Sequence, residues 1–164
     1  MMLRLLAFVG GLAGAGTLSQ FPEFSQQYLQ RLGGQVDALA AVTADFDASA
    51  AKAGMDREKA LDSMTGTEFL GFRQDDMRNA FTRFDRLSAD LTLLRAAGPV
   101  ERVFMPQRFA DTDLFKATLA EFKPAVPVTL TGLTTSGIGF LGGWAAVMGL
   151  LTLIATPFRR RAPR

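Results

Sequence analysis

Residues 130–154 read LTGLTTSGIGFLGGWAAVMGLLTLI, and the uncharged run around them extends from Ala125 to Phe158. A helix rises ~1.5 Å per residue, so ~20 apolar residues cross a ~30 Å hydrocarbon core. This segment is long enough to span with tilt to spare. The competing reading, a buried core helix, needs apolar partners that a chain of 164 residues hardly supplies. Glycines and threonines do not argue against a span, because glycine is frequent in membrane helices and threonine can bond the carbonyl of the preceding turn. Pro124 and Pro127 mark the entry, and Pro157 followed by arginines marks the exit. The sequence therefore predicts a C-terminal transmembrane helix within residues 125–158 and a basic tail at 159–164.

Working outward, the other long apolar stretch is the N-terminus, MMLRLLAFVGGLAGAGTLSQF, whose one charge, Arg4, can snorkel to the head groups. It resembles a secretory signal peptide, with a basic start, an apolar run and a small-residue AGA sequence. It also suits a retained transmembrane helix over residues 1–21, which is the expectation followed below.

Charge is segregated. All sixteen acids and thirteen of the eighteen bases lie between Glu23 and Lys123, so the middle carries −3, while Arg4, Arg159, Arg160, Arg161 and Arg164 put +5 on the ends. Short arginine-rich flanks stay on the cytoplasmic side. Arg4 and the Arg159, Arg160 and Arg161 cluster thus set the expected topology: both termini cytoplasmic and residues 22–124 periplasmic across a bacterial inner membrane. A formal net charge of +2 gives no reason to expect a nucleic-acid partner.

The chain has neither Cys nor His. That removes the thiolate and imidazole chemistries: Cys nucleophiles, Ser-His-Asp triads, the usual zinc sites and haem ligation by His. Asp45 and Asp47 are two apart, Asp75 and Asp76 adjacent, and neither pair shares a helix face. No catalytic residue, cofactor site or metal site is assigned from sequence, and an enzyme is not expected.

Between the two apolar segments the pattern is helical. Leu29, Leu32, Val36, Leu39, Thr43 and Phe46 form one stripe on a helix of about 23–52, interrupted by Gly33 and Gly34, which either permit close helix contact or mark a bend. Phe21, preceding Pro22, is expected to be extended and to kink the chain as it leaves the membrane. A short amphipathic segment of about 55–65 is expected to end with Gly66 as its C-cap. Thr67 opens a second long helix of about 67–97, closed by Gly98-Pro99, on which Leu70, Met77, Phe81, Phe84, Leu87, Leu91 and Leu94 repeat at helical spacing. Two long striped helices with a short connector predict an antiparallel, coiled-coil-like hairpin. Residues 100–110, with Arg102, Phe104 and Arg108, read as an irregular crossing packed on the hairpin or touching lipid head groups. Asp111 or Thr112 then caps a short helix of about 111–122. The fold class is an all-α membrane protein, with two transmembrane helices and an extracytoplasmic antiparallel helical hairpin.

Small residues recur four apart in both apolar segments: Gly10 with Gly14, and Gly139 with Gly143, extended by Thr135. Such faces let backbones approach closely in lipid. They serve either to seal the two spans of one chain or to contact a second chain. The cluster Thr129, Thr131, Thr134, Thr135 and Ser136 either lines a polar path or bonds its own backbone. Arg78, Arg83, Arg86 and Arg95, interleaved with Asp75, Asp85 and Asp90, read as a solvated, salt-bridged helix face rather than a phosphate clamp.

The opening LRLLAFVGGLAGAGTLSQFPEFSQQYLQRLGG, with the later RLSADL, RFAD and KPAVPVTLTGL, resembles an uncharacterised proteobacterial family of small membrane proteins, a domain of unknown function. The resemblance implies two spans with a helical extracytoplasmic region and brings no activity, ligand or catalytic residue. The functional expectation is a non-catalytic membrane-anchored scaffold or accessory subunit, its partners membrane lipid and either another protein or a second copy. The alternative is a pore or transport component built from several copies.

Overall fold

The computed structural model describes residues 2–124 and 129–159, and the side chains of 4–124 and 129–154. It contains helices and turns, with no strand among the described residues. Six α-helices follow in order: α1 Met2–Ser19, α2 Phe21–Lys52, α3 Arg57–Asp62, α4 Glu68–Ala96, α5 Thr112–Glu121 and α6 Leu130–Arg159. Two 3-10 turns, Glu101–Phe104 and Pro106–Phe109, carry the chain from α4 to α5.

These elements form two packing units. In the first, α1 lies antiparallel against α6, with Gly10 opposite Gly143 and Val147, and Gly14 opposite Gly139. In the second, α2 and α4 run antiparallel, Leu32 packing with Leu87, Leu91 and Leu94 near one end and Phe46 against Phe81 towards the other. The apolar stripes read from sequence face one another here. Leu32, Leu87 and Leu94 are fully buried, and each such side chain contributes about 1.5–3 kcal/mol on leaving water.

Local signals explain the helix ends. Asp56, Thr67 and Asp111 are N-caps whose side chains accept from the backbone N–H of Lys59, Leu70 and Leu114. Each supplies an acceptor for an N–H that the helix leaves unpaired. Gly54 and Gly66 have φ of +70° and +98°, the left-handed region that a Cβ disfavours.

The structure departs from expectation in two places. Phe21 is not extended: Gln20 is right-handed helical, its carbonyl accepts from Phe24 N at 3.0 Å, and the chain passes from α1 into α2 with a one-residue turn. Pro22 is tolerated because a residue in the first turn of a helix has no helical carbonyl to donate to. Gly66 is not a C-cap, since α3 ends at Asp62 with Ser63 as its cap, and the glycine turns the chain just before Thr67. Of the two glycines in α2, neither Gly33 nor Gly34 breaks the helix, which runs unbroken through them. Gly33 makes room for the Arg95 guanidinium, 3.1 Å from where a Cβ would stand, whereas Gly34 faces open space.

The second apolar segment was expected over 125–158. Residues 125–128 lie outside the described ones, and the helix is described from Leu130 to Arg159.

Candidate helix-packing site and its surroundings

Four of the five packing residues expected from sequence meet at one crossing. A Cβ added at Gly14 would collide with the Gly139 carbonyl oxygen, and one at Gly143 with that of Gly10. A Cβ at Gly139 would also stand 2.9 Å from the Leu18 Cβ. Two backbones this close leave no space for side chains, so dispersion between main chains and small groups holds the pair. One turn further along α6, Thr135 is fully buried, its hydroxyl donating to the Thr131 and Gly132 carbonyls at 3.0 Å each. The small-residue faces therefore meet within one chain. Phe140 closes the flank, edge-on to Phe8 at 5.7 Å between ring centroids and against Gly11.

The outer surface of this pair has the opposite character. Leu5, Val9 and Leu12 on α1, and Leu133, Leu141, Leu150, Leu153 and Ile154 on α6, are all more than half exposed. Large apolar side chains outside with glycines inside is the arrangement suited to lipid, where burial of apolar surface does not drive association. Both helices are long and apolar enough to cross a membrane. Of the hydroxyl cluster read from sequence, Thr134 and Ser136 also bond their own helix: Thr134 donates to Leu130 O at 2.8 Å and Ser136 to Gly132 O at 2.7 Å.

Arg4 is exposed in the first turn of α1, and Arg159 is the last residue of α6, so the two basic ends lie at the same end of the antiparallel pair. Arg160 and Arg161 fall outside the described residues.

The other end of the pair opens into an aromatic cluster. Phe24 contacts Phe115 and Phe122 at 5.2 and 5.8 Å between centroids, while Phe109 contacts Phe21 at 5.6 Å and Tyr28 at 4.8 Å. Tyr28 is 1% exposed. Burial, reinforced by the carboxylates of Asp111 and Asp90, pushes its phenol up to about 12.

Arg78, Arg83 and Arg86 of α4 are partly exposed and salt-bridged, as expected, but they take their partners from other elements and not from Asp75, Asp85 or Asp90, while Arg73 pairs with Asp76 within the helix. Arg78 bridges Glu58 at 2.9 Å and Asp62 at 2.8 Å on α3. Arg83 and Arg86 converge on Asp111 at 3.1 and 2.9 Å, and Asp90 receives Arg108 at 2.9 Å. Asp111 thus caps α5 and fixes it to α4, with a side chain only 6% exposed. Its carboxylate takes the place on Arg83 and Arg86 that an external anion would need. Asp111 was legible as a cap, but its arginines lie 25 and 28 residues upstream and no local pattern pairs them.

Asp47 pairs with Arg57, which holds its carboxyl below the usual range, and the same guanidinium lies 4.0 Å over the Phe81 ring. Residues 100–110 pack on the hairpin: Phe109 is buried, Met105 is partly buried against the core, and Arg102 Nε donates to Leu94 O at 2.8 Å. Phe104 alone of that segment's phenylalanines stays exposed, at 67%. No group of three acidic side chains is placed to hold a metal among the described residues.

The pattern that organises all of this, two glycine-paired apolar helices bracketing a helical hairpin, runs nearly the length of the chain. No curated protein and no solved structure matches it. A family model does, over residues 1–160, and the chain belongs to that family, described as protein of unknown function DUF2937.

Proposed function

We propose that the chain is a non-catalytic, membrane-anchored scaffold or accessory subunit that acts through helix contacts, within a homo-oligomer or a larger membrane complex. The observation that carries this reading is at the far end of the hairpin. Phe69 and Phe72, three apart at the start of α4, are 69% and 61% exposed, while the remaining apolar stripe of that helix is covered by α2 and α3. Two adjacent exposed phenylalanines on an otherwise charged helix suit a protein contact. The glycine faces, being used within the chain, leave this tip as the stronger candidate for assembly.

In this reading α1 and α6 anchor the protein in a bacterial inner membrane, with both ends cytoplasmic and the hairpin periplasmic. The supporting feature is the placement of the basic residues Arg4 and Arg159 at the common end of the helix pair. A reporter fused after Arg164 should behave as cytoplasmic and one inserted at Gly54 as periplasmic; agreement between the two would refute the topology.

The functional test is purification of the tagged full chain from native membranes in mild detergent. A defined oligomer or stoichiometric complex that dissociates on Phe69→Ser with Phe72→Ser is the expected result. A clean monomer in several detergents would refute the scaffold.

A further inference from the structure

An apolar groove of about 420 Å³ lies where α1 passes into α2, lined by Leu18, Phe21 and Phe24 on that side and by Phe115 and Leu119 of α5 with its C-cap Phe122. Its size falls within the range of about 300–1,000 Å³ typical of small-molecule sites. Thr17 and Gln20 also border it, and their polar groups are engaged: Thr17 Oγ1 donates to Ala13 O at 2.9 Å and Gln20 Nε2 to Ser19 Oγ at 3.2 Å.

Helix α5 is apolar on two faces. Leu114 and Thr118 are buried against the hairpin, whereas Phe115 and Leu119 remain 38% and 57% exposed beside the groove. A ten-residue helix that leaves large apolar groups open on a second face requires something apolar to cover them.

Three features identify the occupant. First, the groove continues the flank of the candidate membrane helix: Leu6, Ala13, Thr17 and Phe24 follow at steps of seven, four and seven, and Leu6 and Ala13 are exposed. A chain lying along that flank reaches the groove without leaving apolar surface. Second, an extended peptide would bring backbone N–H and C=O groups for which the lining has no partner, at a desolvation cost that a hydrocarbon chain avoids. Third, Lys116 and Lys123 are exposed and seven residues apart, each one step along the chain from the lining residues Phe115 and Phe122.

We propose that this groove seats one acyl chain of a bilayer phospholipid, whose phosphate is met by Lys116 and Lys123. The site requires α1 and α6 to lie in the membrane but not that the protein assembles with others. A monomeric chain would leave it intact.

The test places the full chain in vesicles of phosphatidylethanolamine and phosphatidylglycerol that carry a photoreactive diazirine on an acyl chain, and maps the adducts by mass spectrometry. Adducts are expected on α5 and on Phe21 or Phe24, alongside those on the exposed α6 residues Leu150 and Leu153, and not on the distant Phe69 and Phe72. Leu119→Asp puts a charge beside the groove at an exposed position and should lower groove adducts about tenfold, leaving those on α6 unchanged. Lys116→Glu with Lys123→Glu, which leaves the lining intact, should lower them as well. Adducts confined to α6, or equal groove labelling in Leu119→Asp, would each overturn the proposal.

Discussion

The α1–α6 pair and the α2–α4 hairpin solve the same problem, holding two antiparallel helices together, with inverted materials. In the hairpin the large side chains point inward and the charges outward; Leu32, Leu87 and Leu94 are buried while Arg78 and Asp62 meet at the surface. In the pair, glycines meet inside and leucines stand outside. The hydrophobic effect rewards the first arrangement in water and has nothing to reward between helices already in hydrocarbon. With α1 and α6 in the membrane as proposed, the inversion puts the change of solvent near Ser19 to Phe24 on one side and near Leu130 on the other.

The comparison can be broken most severely at the glycine crossing. Gly14→Leu or Gly143→Leu forces a side chain into the opposing backbone and should cost about 3 kcal/mol or more, separating α1 from α6 while the hairpin stays helical. Gly16→Leu, at a site with open space, should cost less than about 0.5 kcal/mol. Steric-trap or denaturant titration of the full chain in bicelles reads both, and equal effects would mean that the glycines face lipid.

In the hairpin the expected loss comes from removing volume rather than adding it. Leu32→Ala or Leu87→Ala should cost about 2–5 kcal/mol, seen as lowered protection from hydrogen exchange across α2 and α4 with α1 and α6 unaffected. Asp111→Ala removes a cap and leaves Arg83 and Arg86 facing each other. A loss of about 1–3 kcal/mol, localised to α5 by the same exchange measurement, is expected.

A smaller effect is carried by proton binding. Tyr28 has its pKa raised by folding, so the folded state holds its proton where the unfolded state releases it. Stability is therefore untouched below pH 10 and falls as pH rises from about 10 towards 12. Tyr28→Phe should flatten that decline in a chemical denaturation series; an unchanged slope would show that another group titrates. Phe69→Ser is the weakest in stability, expected within about 0.5 kcal/mol, because the side chain is mostly in solvent.

The helices and their stripes were legible because period and caps are local. Leu29 to Phe46, Thr67 and Asp111 each announce their role within a few residues. The glycine crossing was legible as a motif but not as a pairing, since Gly10 and Gly143 are joined only by the fold. Phe21 misled because the residue before a proline usually avoids helix. That rule describes the isolated dipeptide, and here the helices on both sides, with Phe109 packed on its ring, hold Phe21 in the helical form. The aromatic groove escaped altogether, because three of its eight lining residues, Phe115, Leu119 and Phe122, lie some ninety residues beyond Phe24. The arginines of α4 looked self-sufficient for the same reason: Asp75 and Asp85 are near in sequence, yet Asp111 and Asp62 are nearer in space.

The passage from α1 into α2 through a single turn residue makes Met2–Lys52 a nearly continuous rod of about 75 Å, at ~1.5 Å per residue. Roughly a third of it is gripped by α6 and the rest reaches away as a lever. A 10° change in the tilt of α1, well within the 0–40° range of membrane helices, would swing the tip carrying Gly54 through about 8 Å. With α1 and α6 in the membrane as proposed, bilayer thickness and the packing of α1 on α6 would become mechanical inputs. The aromatic cluster around Phe24 is the fulcrum, and whatever fills the groove beside it sets how stiffly the lever is mounted.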